Sequence, residues 1–333
     1  MCKILLPCYK RIMDQYSDRD TKLDRIARAV ASMQIERNTP IPTIVNGQPF
    51  YPANAPRQNP SWSSIRATGM DANSSYNSAS ITLRRQTSSG FFGQIFYNFS
   101  KGMDNASNLG QGESQRSAAI VMDPTNYARD RSLSDYDSRH NIVANFSYPV
   151  PFRTSSKVVG LVANGWTLDG IGTFTSGLPF IALLASAISR DLGTTLAERP
   201  NLIPGGNQNP IKGISAGCTG FRAGTPVGTP DNWYDPCNFA LPAAGTYGNL
   251  GRNTITGPGV ANVDLTLEKV FKLRESAEVK FRAEMFNVMN HANFGLPNTT
   301  PLTATGAANA SAGRITYTTT SARQLQFALR ISF

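Results

Sequence analysis

The last strand-like stretch of the chain constrains its fold most. Leu325, Phe327, Leu329, Ile331 and Phe333 occupy every second position up to the final residue, and Gln324, Gln326, Ala328, Arg330 and Ser332 lie between them. Side chains alternate faces along a strand, so this spacing makes one stripe wholly apolar and the other mostly polar. The pattern recurs upstream. Val279, Phe281, Ala283 and Met285 alternate with Lys280, Arg282 and Glu284, while Val263, Leu265, Leu267 and Phe271 alternate with Asp264, Thr266 and Glu268. Further segments with period two cover 139–148, 161–177, 91–100 and 76–87. The sequence therefore predicts seven strands of about 10 residues, the length that crosses a bilayer when tilted. No helix can do so: the longest nearly apolar run, Pro179 to Ile188, is about half the length of a spanning helix.

The connections sharpen this reading. Those at 88–90, 149–160 and 273–277 are short, and those at 101–138, 178–259 and 291–322 are long, in strict alternation. A soluble sandwich has no reason to keep that rhythm, and a loop as long as 178–259 is improbable in one. Outer-membrane barrels have short periplasmic turns and long external loops. The fold class expected is all-β: an antiparallel transmembrane β-barrel, here a C-terminal fragment forming a curved open sheet of about seven or eight strands. Within it, 260–272 and 278–290 should form a hairpin, with Glu268 opposite Lys280 or Arg282. The polar stripes, carrying Asp264, Glu268, Lys280, Arg282, Glu284 and Arg330, should face the lumen. Tyr97, Phe99, Tyr148, Phe152, Trp166 and Phe271 near strand ends suit interfacial girdles.

Two regions read differently. Residues 1–45 form an uncertain N-terminal segment, distinct from the barrel portion 46–333. Within it, Leu23, Ile26, Ala27, Val30 and Met33 allow a short helix or a remnant of an earlier strand. The start is too short in apolar residues for a secretory signal, which suggests that the beginning of the gene product is missing. The cysteines fall into two sets, Cys2 with Cys8 and Cys218 with Cys237. The second pair, with no histidine near, points to a disulfide in an oxidising compartment.

Several function classes find little support. The net charge is +10, but its basic residues are scattered and form no run with interleaved aromatics, so no nucleic-acid partner is expected. His140 and His291 stand far apart without metal-ligand or catalytic spacing, and no cofactor or enzymatic activity is expected. Asp123, Asp130, Asp135 and Asp137 are interspersed with Arg129, Arg131 and Arg139, which favours an ion-paired loop end over a calcium site.

An ordered set of motifs adds a family. They are Gly47-Gln-Pro-Phe-Tyr-Pro with Arg57-Gln-Asn-Pro; Phe96-Tyr-Asn-Phe-Ser-Lys101; and Ser134-Asp-Tyr-Asp-Ser-Arg-His140. Gly165-Trp166, Ser176-Gly-Leu-Pro-Phe180 and Tyr247-Gly-Asn-Leu-Gly-Arg-Asn253 follow, then Phe281-Arg-Ala-Glu-Met-Phe-Asn287, Asn290-His-Ala-Asn-Phe294 and the terminal Phe333. Together they resemble the C-terminal barrel of TonB-dependent outer-membrane receptors, in the group with a carboxypeptidase-regulatory-like N-terminal domain. The resemblance implies part of a plugged barrel of about 22 strands in the bacterial outer membrane. It implies uptake of a large or scarce ligand, whose identity it does not give, with energy supplied through TonB by a plug this sequence lacks. The partners implied are outer-membrane lipid and the barrel-assembly machinery, which would read the stripe from Leu325 to Phe333. The rival class is a secreted all-β binding or adhesin-type domain.

Overall fold

A computed structural model describes residues 27–107, 116, 120–193, 198–274 and 277–333. Eight principal strands follow one another in a single antiparallel sheet: β1 (Ala27–Glu36), β2 (Arg66–Gln86), β3 (Phe92–Asp104), β4 (His140–Pro149), β5 (Trp166–Thr175), β6 (Val260–Arg274), β7 (Ala277–Phe286) and β8 (Gln324–Ser332). Spatial order equals chain order, and the short strand Ser132–Leu133 adds a ninth by pairing with the end of β3. Among the described residues β8 pairs only with β7, so the ring does not close and the sheet is open.

The strand boundaries follow local chemistry. At Gly90 the tight connection between β2 and β3 adopts φ +88°, a backbone conformation that side chains with a Cβ resist. Asn287 and Asn290, at φ 48° and 51°, end β7 four residues before the expected 290. β2 begins ten residues earlier than the alternation indicates, because a bulge where the register passes from Ala72 to Gly69 breaks its periodicity.

One alternative is resolved and one expectation is corrected. In the uncertain N-terminal segment, 27–36 is strand β1, paired with β2, so the strand alternative and not the helix holds there. The earlier part of that helix, with Cys2 and Cys8, lies outside the described residues. Residues 161–165 are not strand: α1 (Lys157–Ala163) fills the connection before β5, capped by Ser156, whose Oγ accepts from the Val159 amide. A period-two reading of Leu161 and Ala163 cannot be told from one turn of helix over so few residues. The long connections are themselves packed. At the end of the sheet opposite the short turns they share a core in which Phe180, Tyr234, Phe239, Leu250, Ile255 and Leu302 are buried.

Register shows which face this loop cap covers. The apolar stripe runs across the sheet through Leu329, Phe281, Lys269, Trp166 and their neighbours. Met33, Ile35 and Ala72 lie on the opposite face, where Val121 of the connection between β3 and β4 packs on them. Ile120 bridges Gln34 in parallel, covering part of the outer edge of β1.

Candidate functional site

The face opposite the apolar stripe carries the polar side chains of the strands. In the β6–β7 hairpin Leu265 faces Met285, Leu267 faces Ala283 and Glu268 faces Arg282. Glu268 accepts an ion pair from Lys280 at 2.7 Å and another from Arg282 at 3.4 Å, and Arg282 reaches Glu284 at 3.0 Å. Lys280 also stands opposite Arg330 on β8, a like-charge neighbour. Asp264 has a structural task at the other end: its Oδ1 accepts from the Asn287 amide at 2.7 Å, which holds the chain leaving β7.

Within the cap, two buried arginines organise the charges. Arg199 donates to Asp130 at 2.5 Å, to the Leu250 carbonyl at 2.8 Å and to the Arg129 carbonyl at 3.1 Å. Arg252 is paired with Asp104 at the tip of β3 and with Asp135 at 3.5 Å. Asn253 donates to Asp135 at 2.7 Å and to the Leu133 carbonyl at 2.8 Å. The segments Tyr247 to Asn253 and Ser134 to His140 therefore meet face to face. The acidic cluster is ion-paired, and its local arginines serve two of its members, with Arg139 on Asp137 at 3.4 Å and Arg129 on Asp123 at 3.9 Å. Asp130 and Asp135 take partners distant in sequence.

Nearby lie two buried carboxyls, Asp191 and Glu198, with no ion pair among the described residues. Asp191 accepts from the Tyr247 hydroxyl at 2.8 Å and the Gly193 amide at 2.9 Å; Glu198 accepts from Ser189 Oγ at 2.7 Å and the Ile188 amide at 2.7 Å. Burial pushes both carboxyls above their ordinary values, although these donors favour the charged form. Cys218 and Cys237 are disulfide-bonded, with Cα atoms 5.5 Å apart. Beside the bridge, Asp235 accepts from Ser215 Oγ and the Cys237 amide. Among the described residues no cluster of His, Cys, Asp or Glu is arranged to hold a metal ion.

The outer face is of another kind. Leu325, Phe327, Leu329 and Ile331 are each at least 60% exposed and Phe333 is 99% exposed, so none of the described residues covers this stripe. Aromatic side chains on that face gather at two levels. Tyr97, Phe99 and His140 contact one another near the long connections, with Tyr97 Oη 2.9 Å from His140 Nδ1. Phe91 packs on Tyr148, and Trp166 on Phe281, near the short turns. Between His140 and Tyr148 the chain rises about 26 Å at ~3.3 Å per residue, matching the apolar band of a bilayer-spanning wall.

Antiparallel strands with an uncovered apolar outer stripe, two aromatic girdles, a polar inner face and long connections at one end define the wall of an outer-membrane β-barrel. A family model, the outer membrane beta barrel domain, matches residues 27–326, and the chain belongs to that family. Its place is the bacterial outer membrane. No curated protein and no solved structure matches it.

Sequence reasoning passed over three features. Lys269 interrupts the apolar stripe of β6 and is nearly fully buried. Arg199 and Arg252 carry no periodicity that separates them from surface cations; their only mark is that Arg252 lies in the Tyr247 to Asn253 motif. The cap core draws its apolar side chains from loop segments without a repeat, a distribution that no window along the chain reveals.

Proposed function

We propose that this chain forms part of the barrel of a TonB-dependent receptor, a non-enzymatic wall and external cap for uptake of a large or scarce ligand, energised through TonB by a plug. The open sheet carries this reading. An eight-strand barrel closes upon itself and fills its interior with side chains, whereas here the inner face is lined by charged strands and partly covered by loops. Such an arrangement suits a wide barrel completed by further strands. The meeting of Tyr247 to Asn253 with Ser134 to His140, both from the motifs that resemble these receptors, supports it. The barrel-assembly machinery is the proposed reader of the stripe from Leu325 to Phe333.

The test is to isolate the receptor containing this chain from outer membranes and mix it with the periplasmic domain of TonB. Co-elution that is lost when the plug's coupling segment is deleted is expected. A receptor with no plug and no affinity for TonB would overturn the proposal. Recovery of the native protein from the medium, soluble without detergent, would favour the secreted binding domain instead.

A further inference from the structure

The short connection between β4 and β5 contains α1, and this helix is unusually apolar for its surroundings. Val158, Val159, Leu161 and Val162 are 81%, 53%, 61% and 65% exposed. Seven residues are too few to hold a helix in water by propensity alone, and four branched apolar side chains facing water would oppose it further.

Lys269 shows on which side of the sheet α1 lies. It belongs to the apolar stripe, paired with Trp166 on β5 and Phe281 on β7. Its Nζ donates to the Val162 carbonyl at 2.8 Å and the Asn164 carbonyl at 2.5 Å, and lies 5.4 Å from the Trp166 ring and 4.8 Å from that of Phe271. Trp166 Nε1 donates to the same Val162 carbonyl at 2.8 Å. Two donors rooted in the outer face therefore hold the C-terminal end of α1, where the helix dipole favours a cation. The charge of Lys269 is spent on those carbonyls and flanking rings, and only 3% of the residue is exposed.

We propose that α1 is a membrane anchor lying in the headgroup–acyl boundary of the inner leaflet of the outer membrane, with Lys269 as the positioning residue that clamps it to the barrel wall. Continuity with the bilayer-facing stripe identifies the occupant. α1 sits against that stripe, at the level of the Trp166 and Phe271 girdle, at the short-turn end that faces the periplasm. Its exposed valines and leucine extend the apolar surface where interfacial helices bury theirs. The inference rests on the outer-membrane location alone and not on TonB coupling.

The full chain, with Cys2→Ser and Cys8→Ser and its disulfide intact, can be reconstituted into vesicles of phosphatidylethanolamine and phosphatidylglycerol. Single nitroxide labels are then placed through Val158→Cys, Leu161→Cys or Ser155→Cys. Collision of each label with oxygen, which concentrates in the acyl region, is compared with collision with a water-soluble nickel chelate. The oxygen-to-nickel ratio should be several-fold higher at 158 and 161 than at 155. Equal ratios at all three would place α1 in water and overturn the proposal. Labels at 158 and 161 shielded from both reagents would mean a protein partner and overturn it equally. Lys269→Met should loosen the label at 161 without moving one at Leu267→Cys, and an unchanged spectrum at 161 would remove Lys269 from its clamping role.

Discussion

The guanidinium of Arg199 donates to the carboxylate of Asp130 at 2.5 Å, and both side chains are almost completely buried although the residues stand 69 apart in the chain. This pair ties the 176–259 connection to the one between β3 and β4. Removing one partner strands the other charge in the cap, a loss of about 3–5 kcal/mol. Arg199→Ala should therefore speed hydrogen exchange at Leu250 and Tyr234 by several orders of magnitude. Amides in the middle of β6 and β7, which rest on sheet hydrogen bonds, should keep their protection.

The disulfide should act locally. Cys218 and Cys237 enclose a segment of sequence separation 19. Closing such a loop contributes about 3 kcal/mol by restricting the unfolded segment. The pair Cys218→Ser and Cys237→Ser should make 212–238 the first site of proteolytic nicking in detergent-folded protein. The rest of the cap should be cut more slowly, since Phe180, Ile255 and Leu302 lie outside the bridged segment and are buried together.

Cap stability should depend on pH through Asp191 and Glu198. Both stand above their ordinary values of 3.8 and 4.5 because they are buried. The folded cap thus holds protons that the unfolded segment releases. Their contribution is fully present below about 3.8 and 4.5 respectively, and it is lost as pH rises through the elevated folded values. Exchange protection of Ile188, Ser189 and Gly193, corrected for intrinsic rate, should fall across that rise. Asp191→Asn with Glu198→Gln should flatten this dependence, and a slope unchanged in the double variant would contradict the assignment.

Glu268 should matter far less than Arg199. Its partners Lys280 and Arg282 have side chains 37% and 45% exposed, so solvent screens both pairs. Glu268→Gln should cost at most about 1 kcal/mol, read from the urea midpoint of the detergent-folded chain.

Deleting Phe333 from the full-length protein should lower its outer-membrane abundance sharply, because it ends the stripe that we propose the assembly machinery reads. An equal level of folded, heat-modifiable protein in the membrane would rule out that role.

Much of the wall was legible in the residues themselves. Alternation in β3, β4, β6, β7 and β8 placed each apolar stripe correctly, because the period of a strand is two and a residue cannot change face without a bulge. The same rule put Glu268 opposite Lys280 or Arg282; it stands opposite Arg282 and ion-pairs with both, and the spacing and surroundings of Cys218 and Cys237 were enough to suggest their bond. Where the period breaks, legibility ends: the bulge in β2 concealed its first ten residues, and α1 passed for the start of a strand. Tertiary structure alone decided the cap, because Arg199 meets Asp130, and Arg252 meets Asp104 and Asp135, only after the connections have folded over the inner face. It also decided the fate of Lys269. A cation within an apolar stripe is an error by sequence pattern, and only the carbonyls at the end of α1, brought beside it by the β4–β5 connection, supply the partners that make its burial favourable.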